Sequence, residues 1–128
     1  MSGKVNRFLS DTNIIIYVSK GILNLDDFLT ENDELFISSI SYMEAYGFPF
    51  QDKQEEKEIV KFCTMFNRFS ITEEIEKRTI LIRKSHKIKL PDAIIAATAI
   101  VHNLILVTRN DSDFKNISGL KVLNPFLK

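Results

Sequence analysis

The sequence predicts a three-layer α/β sandwich, a mainly parallel central sheet flanked by helices. Three observations lead there. Short apolar runs rich in branched residues alternate along the chain with longer segments in which apolar residues recur every three or four positions. The run Leu104 to Val107 is apolar throughout, as expected of a central strand covered on both sides. Only four glycines and three prolines are present, with no low-complexity tract and no convincing internal repeat. Residues 1–128 are therefore expected to form a single domain around one core.

From the amino terminus, Val5 to Ser10 reads as a first strand and Thr12 to Lys20 as a helix, with Asp11 at the junction and Gly21 ending the helix. Leu35 to Ser38 reads as a second strand. Ser41 and Glu44 have the Ser-x-x-Glu spacing of a capping box, which starts a helix running towards Gly47. In Glu55 to Phe69 the residues Ile59, Phe62, Cys63, Phe66 and Phe69 share one helical face while the other is charged. Ser70 to Thr72 reads as a brief third strand, followed by a helix over Glu73 to His86 with Ile75, Thr79 and Ile82 on one side. Pro91 fits a helix start, because its ring presets φ and its missing N–H would be unpaired there anyway. Ala93 to Val101 carries almost no polar side chain on any face, the pattern of a helix buried within the domain, and His102 and Asn103 mark its end. Lys121 to Leu123 reads as a last strand.

Composition narrows the function classes. Lys plus Arg and Asp plus Glu are balanced at 17 each, so bulk charge gives no reason to expect tight, nonspecific nucleic-acid binding, and any such role must come from local patches. Cys63 is the only cysteine, which excludes an intramolecular disulfide, argues against a zinc cage and fits a reducing cytoplasm. The apolar runs Ile14 to Val18 and Ala93 to Val101 are too short to span a bilayer, and the amino terminus lacks a signal pattern. A cytoplasmic protein without a membrane role is expected.

Sites in parallel α/β sheets form beyond the carboxyl ends of the strands. Asp11 and Asp113 follow such ends, and Glu44 and Asp92 fall in the first turns of expected helices. Each acid alone has a structural explanation: Asp11 as a turn or cap, Glu44 as half of the capping box, Asp92 as a first-turn carboxylate facing the helix dipole, and the 108–114 segment as a solvated loop anchored by Phe114. Their joint placement has none. Converging carboxylates repel by roughly a few kcal/mol per close pair at an effective dielectric near 20, so a cation is required. A divalent magnesium or manganese ion fits an all-oxygen donor set and the scarcity of His and Cys.

These residues resemble the PIN-domain ribonucleases, and within them the VapC-type toxins of toxin–antitoxin pairs, over nearly the whole chain. The resemblance is carried by Leu9-Ser10-Asp11-Thr12-Asn13, by Ile37 through Glu44 with Gly47, by Leu90-Pro91-Asp92 through Ala99, and by Leu106 through Asn110 with Asp113-Phe114. It implies that Asp11, Glu44, Asp92 and Asp113 are the catalytic and metal-holding acids, with Asp111 as the rival to Asp113. Thr12, Asn13, Ser41, Thr108 and Asn110 are candidates for orienting carboxylates or metal-bound water, or equally caps and turn residues.

The resemblance further implies a Mg2+- or Mn2+-dependent endoribonuclease in which a metal-activated water attacks the RNA phosphodiester in line, leaving a 5′-phosphate and a 3′-hydroxyl. It also implies a cognate antitoxin and a homodimer. The aromatic stretch Tyr42, Tyr46, Phe48 and Phe50, with Phe62, Phe66 and Phe69, offers either a partner groove or core. The basic run Lys77, Arg78, Arg83, Lys84, Lys87 and Lys89 reads equally as a guide for an RNA backbone and as a solvated helix face paired with Glu73, Glu74 and Glu76. A noncatalytic RNA-binding or scaffolding module of the same fold is the alternative function.

Overall fold

Successive residues of a strand point to opposite faces of its sheet, and in the central strands of this protein both faces are apolar. The computed structural model describes residues 5–127. Residues 1–4 and 128, which the one-domain expectation includes, lie outside the description. The elements are β1 (Arg7–Ser10), α1 (Thr12–Ser19), a short 3-10 turn (Leu25–Asp27), β2 (Glu34–Ser38), α2 (Ser39–Tyr46), α3 (Lys53–Met65), β3 (Asn67–Phe69), α4 (Glu73–Ser85), α5 (Leu90–Val101), β4 (Ile105–Val107), α6 (Asp111–Phe114) and β5 (Lys121–Leu123). The five strands form one sheet in the order β3-β2-β1-β4-β5, parallel throughout.

Register sorts the side chains between two layers. Leu9 lies beside Phe36 and Leu106, and all three face a cluster built with Ile75 and Ile82 of α4, Ile95, Ala96 and Ala99 of α5, and Phe114 of α6. Phe8 lies beside Leu35, and Ile37 and Val107 flank Ser10; these apolar residues face the opposite cluster, with Ile14 and Ile15 of α1, Ala45 of α2, and Ile59 and Phe62 of α3. The chain first runs outward from β1 to β2 and β3, then returns to place β4 on the other side of β1. The reversal lies between β1 and β4, the position at which an open parallel sheet forms a crevice beyond its carboxyl edge.

Four expectations change at the level of elements. Helix α3 ends at Met65 rather than Phe69, because Phe66 turns extended (φ −124, ψ 153) and Asn67–Phe69 pairs with Phe36–Ser38 as β3. Ser70 to Thr72 is accordingly no strand; Thr72 caps α4, its hydroxyl accepting from the N–H of Ile75 at 3.3 Å. The Ser41–Glu44 capping box is absent, since β2 leads directly into α2 and Ser38 is the capping residue, accepting from the N–H of Ile40 at 3.2 Å. Residues 111–114 form a short helix, α6, which replaces the solvated loop weighed as the structural alternative for the 108–114 segment. Gly21 ends α1 as expected, at φ +74, a conformation glycine adopts without Cβ strain.

Candidate active site

Asp11 is the first residue beyond β1 and the cap of α1. Its backbone N–H donates to the carbonyl of Val107 at 2.9 Å, which ties the end of β1 to the end of β4 at the reversal point. One carboxylate oxygen, Oδ1, accepts from the N–H of Thr12 at 2.7 Å, and Oδ2 accepts from the hydroxyl of Thr108 at 2.8 Å. Thr108 is itself held, its hydroxyl oxygen accepting from the N–H of Asn110 at 3.0 Å. A carboxylate at 5% exposure is thus fixed from both sides.

Glu44 reaches the same place from α2. Its Oε1 lies 2.7 Å from the hydroxyl of Thr12, which is also 3.0 Å from the buried hydroxyl of Ser41. A hydroxyl carries one proton, so the Thr12 proton goes to the carboxylate and Ser41 supplies the proton of the second contact. With Ser38 as the cap, Glu44 falls towards the carboxyl end of α2, where the helix dipole disfavours a negative charge. Its local structural explanation is gone, and its contact with α1 remains.

Asp92 lies in the first turn of α5, and Asp113 lies in α6, whose backbone N–H donates to the carbonyl of Asn110 at 3.0 Å. Asp11, Glu44, Asp92 and Asp113 all border one cleft of about 450 Å3, together with Asn13 and Asn110. Asp111 does not border it; its Oδ1 accepts from the side-chain amide of Asn124 at 3.0 Å, an amide that also donates to the carbonyl of Arg109. Nothing in the spacing points to Asn124, because it lies just past β5 and meets α6 only in the folded chain. Thr12, Ser41 and Thr108 form the hydrogen bonds that orient the acids.

The carboxylates act on one another. Burial pushes the Asp11 carboxyl up to about 6, opposed by the Thr108 hydrogen bond, while the charge of Asp92 raises it further; the Thr12 N–H lowers it and Glu44 raises it. The Asp92 carboxyl is also raised, by burial first, then by the charges of Glu44 and Asp113, with Lys89 pulling the other way. The cleft therefore concentrates negative charge, with Lys87 and Lys89 as the basic residues in its lining. Among the described residues, no three His, Cys, Asp or Glu side chains converge closely enough to enclose an ion by themselves. The donor set is all oxygen and open, which fits a hard divalent cation that keeps several of its waters, and does not fit a closed zinc cage.

Comparison with known proteins agrees with this architecture. The PIN domain family model matches residues 8–120. Ribonuclease VapC2 of Rickettsia felis is 31% identical over 129 residues, covering 91% of this chain and 96% of that protein. Among solved structures, a toxin–antitoxin complex from Klebsiella pneumoniae contains a chain 34% identical to this one, with 92% of this chain and 97% of that chain covered and a TM-score of 0.74. The VapBC2 structure from Rickettsia felis, bound to a DNA fragment from its promoter, superposes with a TM-score of 0.80 over 92% of this chain and 98% of that one; at 23% identity it speaks for the fold alone. With the family model covering most of the chain and a ribonuclease relative aligned along nearly all of it, the chain belongs to the PIN-domain family, among the VapC ribonucleases.

Proposed function

We propose that the protein is a metal-dependent endoribonuclease that hydrolyses RNA phosphodiester bonds, with Asp11, Glu44, Asp92 and Asp113 as its catalytic and metal-holding acids. The observation that carries this reading is that four carboxylates from four separate segments border one cleft, with the buried Asp11 held in place by Thr12 and Thr108. Mg2+ or Mn2+ bound there would polarise the scissile phosphate and activate water. Asp11, fixed by Thr12 and Thr108, presents its oxygens without freedom to rotate, and Thr12 holds Glu44 in the same way. Such fixed ligands limit reorganisation when charge develops on phosphorus and on the leaving oxygen.

The same reading makes the protein the toxin of a type II toxin–antitoxin pair, acting in the cytoplasm as one domain, as a homodimer, and silenced by a cognate antitoxin. It is supported by the Klebsiella pneumoniae relative, which is a toxin–antitoxin complex. It is also supported by an exposed apolar ridge on α2 and just beyond it, with Met43 at 54%, Tyr46 at 41% and Phe48 at 36% exposure, which a partner would cover. Among the described residues no helix is long and apolar enough to cross a membrane.

The test is cleavage of a labelled single-stranded RNA by purified protein with and without Mn2+ or Mg2+. Cleavage is expected only with metal, and Asp11→Asn or Asp92→Asn should each reduce it at least about a thousandfold while the circular dichroism spectrum stays folded. Full activity in both variants overturns the assignment. RNA binding without turnover by the wild-type protein would favour the noncatalytic module instead.

A further inference from the structure

The basic run from Lys77 to Lys89 divides into two parts with different surroundings. Its helical part lies on the solvated surface of α4: Lys77 pairs with Glu73 at 3.0 Å, and Arg83 and Lys84 stand in the last turn, where positive charge suits the helix dipole. Those charges are accounted for by the helix that carries them. Lys87 and Lys89 are not in a helix. They belong to the extended link between α4 and α5, which leaves His86 at φ −136, ψ 144 and enters Lys89 at φ −68, ψ 151.

Both lysines line the acidic cleft, on its rim, with Ile88 between them. Ile88 packs against the apolar cluster under α4 and α5, so the link is anchored. In an extended segment residues two apart project to the same side, about 7 Å from one another, a spacing comparable to that of successive phosphates along a single strand. Both lysines are exposed, and among the described residues neither forms an ion pair.

A polyanion approaching this cleft meets a wall of carboxylates. A divalent cation held by the acids would offset that repulsion at the scissile phosphate, but the neighbouring phosphates need their own counter-charge. We propose that Lys87 and Lys89 are substrate-positioning residues, which hold successive phosphates of single-stranded RNA along the rim of the cleft and thereby place the scissile bond over the acids. The inference rests on the ribonuclease reading for the word positioning, though not for the contact itself.

The test compares wild type with the K87A/K89A double variant, in initial rates of metal-dependent RNA cleavage across RNA and salt concentrations. Binding of the same RNA is followed by fluorescence anisotropy in an Asp11→Asn background. KM and Kd should rise about tenfold, kcat should change by less than about threefold, and the slope of log Kd against log salt should fall by about 1.4 for two lost phosphate contacts. K87R/K89R should restore the wild-type KM, and K84A, on the helical part, should leave it unchanged.

An unchanged KM and Kd in K87A/K89A, while the wild type cleaves, overturns the lysine contact and leaves the ribonuclease reading intact. A fall in kcat with KM unchanged also overturns it, since the lysines would then serve only to temper the carboxylates. Wild-type protein that binds RNA through these lysines without cleaving it overturns the ribonuclease reading and keeps the contact. Failure to bind or cleave at all removes both.

Discussion

At the scale of single residues, Asp11 sets the electrostatic character of the site. Its carboxyl is raised from 3.8 to about 6, so the folded state holds that proton more tightly than the unfolded state does. Stability from this source is fully present below pH 3.8 and is lost as pH rises through about 6, on the order of 3 kcal/mol for a shift of this size. Metal-free protein should accordingly melt at a lower temperature at pH 7 than at pH 5, Asp11→Asn should raise the pH 7 value, and Mn2+ should stabilise the wild type but not the variant. Calorimetry across pH in EDTA checks this; a wild type and variant that track each other would contradict it. The placement of Asp11, Glu44 and Asp92 at strand ends or on helices was legible in the sequence, because strand and helix periodicities locate such positions. The preference for Asp113 over Asp111 came from the sequence alone, and spacing could not show what favours it in the structure: Asp113 borders the cleft while the amide of Asn124, just past β5, holds Asp111.

At the scale of elements, α5 carries Asp92 into the cleft, and the helix is placed by small side chains. Ala93, Ala96, Ala97 and Ala99 are fully buried, so the backbone of α5 can lie close to its neighbours with no room left over. Ala97→Leu should cost about 1–3 kcal/mol, read from the urea midpoint, because added methylenes in a packed core force strain. Ala97→Leu without any shift in midpoint would show slack that the burial does not suggest. This helix was readable from Ala93 to Val101 because every face is apolar, as was β4 from its unbroken apolar run. The boundary of α3 was misread for a physical reason: Phe66 and Phe69 continue the helical step, yet tertiary contacts decide. Phe69 stacks between Phe36, with ring centroids 4.9 Å apart, and His102, at 3.8 Å, and pairing with β2 outweighs the local pattern. Likewise Ser41 matched a capping box, but a strand that feeds a helix without a loop moves the cap to Ser38.

At the scale of the whole molecule, two apolar layers enclose a sheet whose strands all run one way, and a single thiol reports on that enclosure. Cys63 is 6% exposed between α3 and the sheet, and burial pushes its thiol up to about 11, against the pull of Arg68. A thiol reagent at pH 8 should label native protein at least about a thousandfold more slowly than a free cysteine, with urea accelerating labelling in step with unfolding. Rapid, urea-independent labelling would mean that α3 opens on its own. The parallel topology also has a consequence for how the protein is made. Asp11 and Thr108, the two ends of the hydrogen bond that fixes the central carboxylate, are 97 residues apart in sequence, and β4 cannot join β1 until the intervening elements have been synthesised. A growing chain therefore carries Asp11 long before the hydrogen bond that fixes it can form. Under the proposed assignment the cleft stays incomplete until the segment bearing Thr108 and Asp113 docks beside β1, so a chain truncated before β4 keeps Asp11 without the geometry that fixes it.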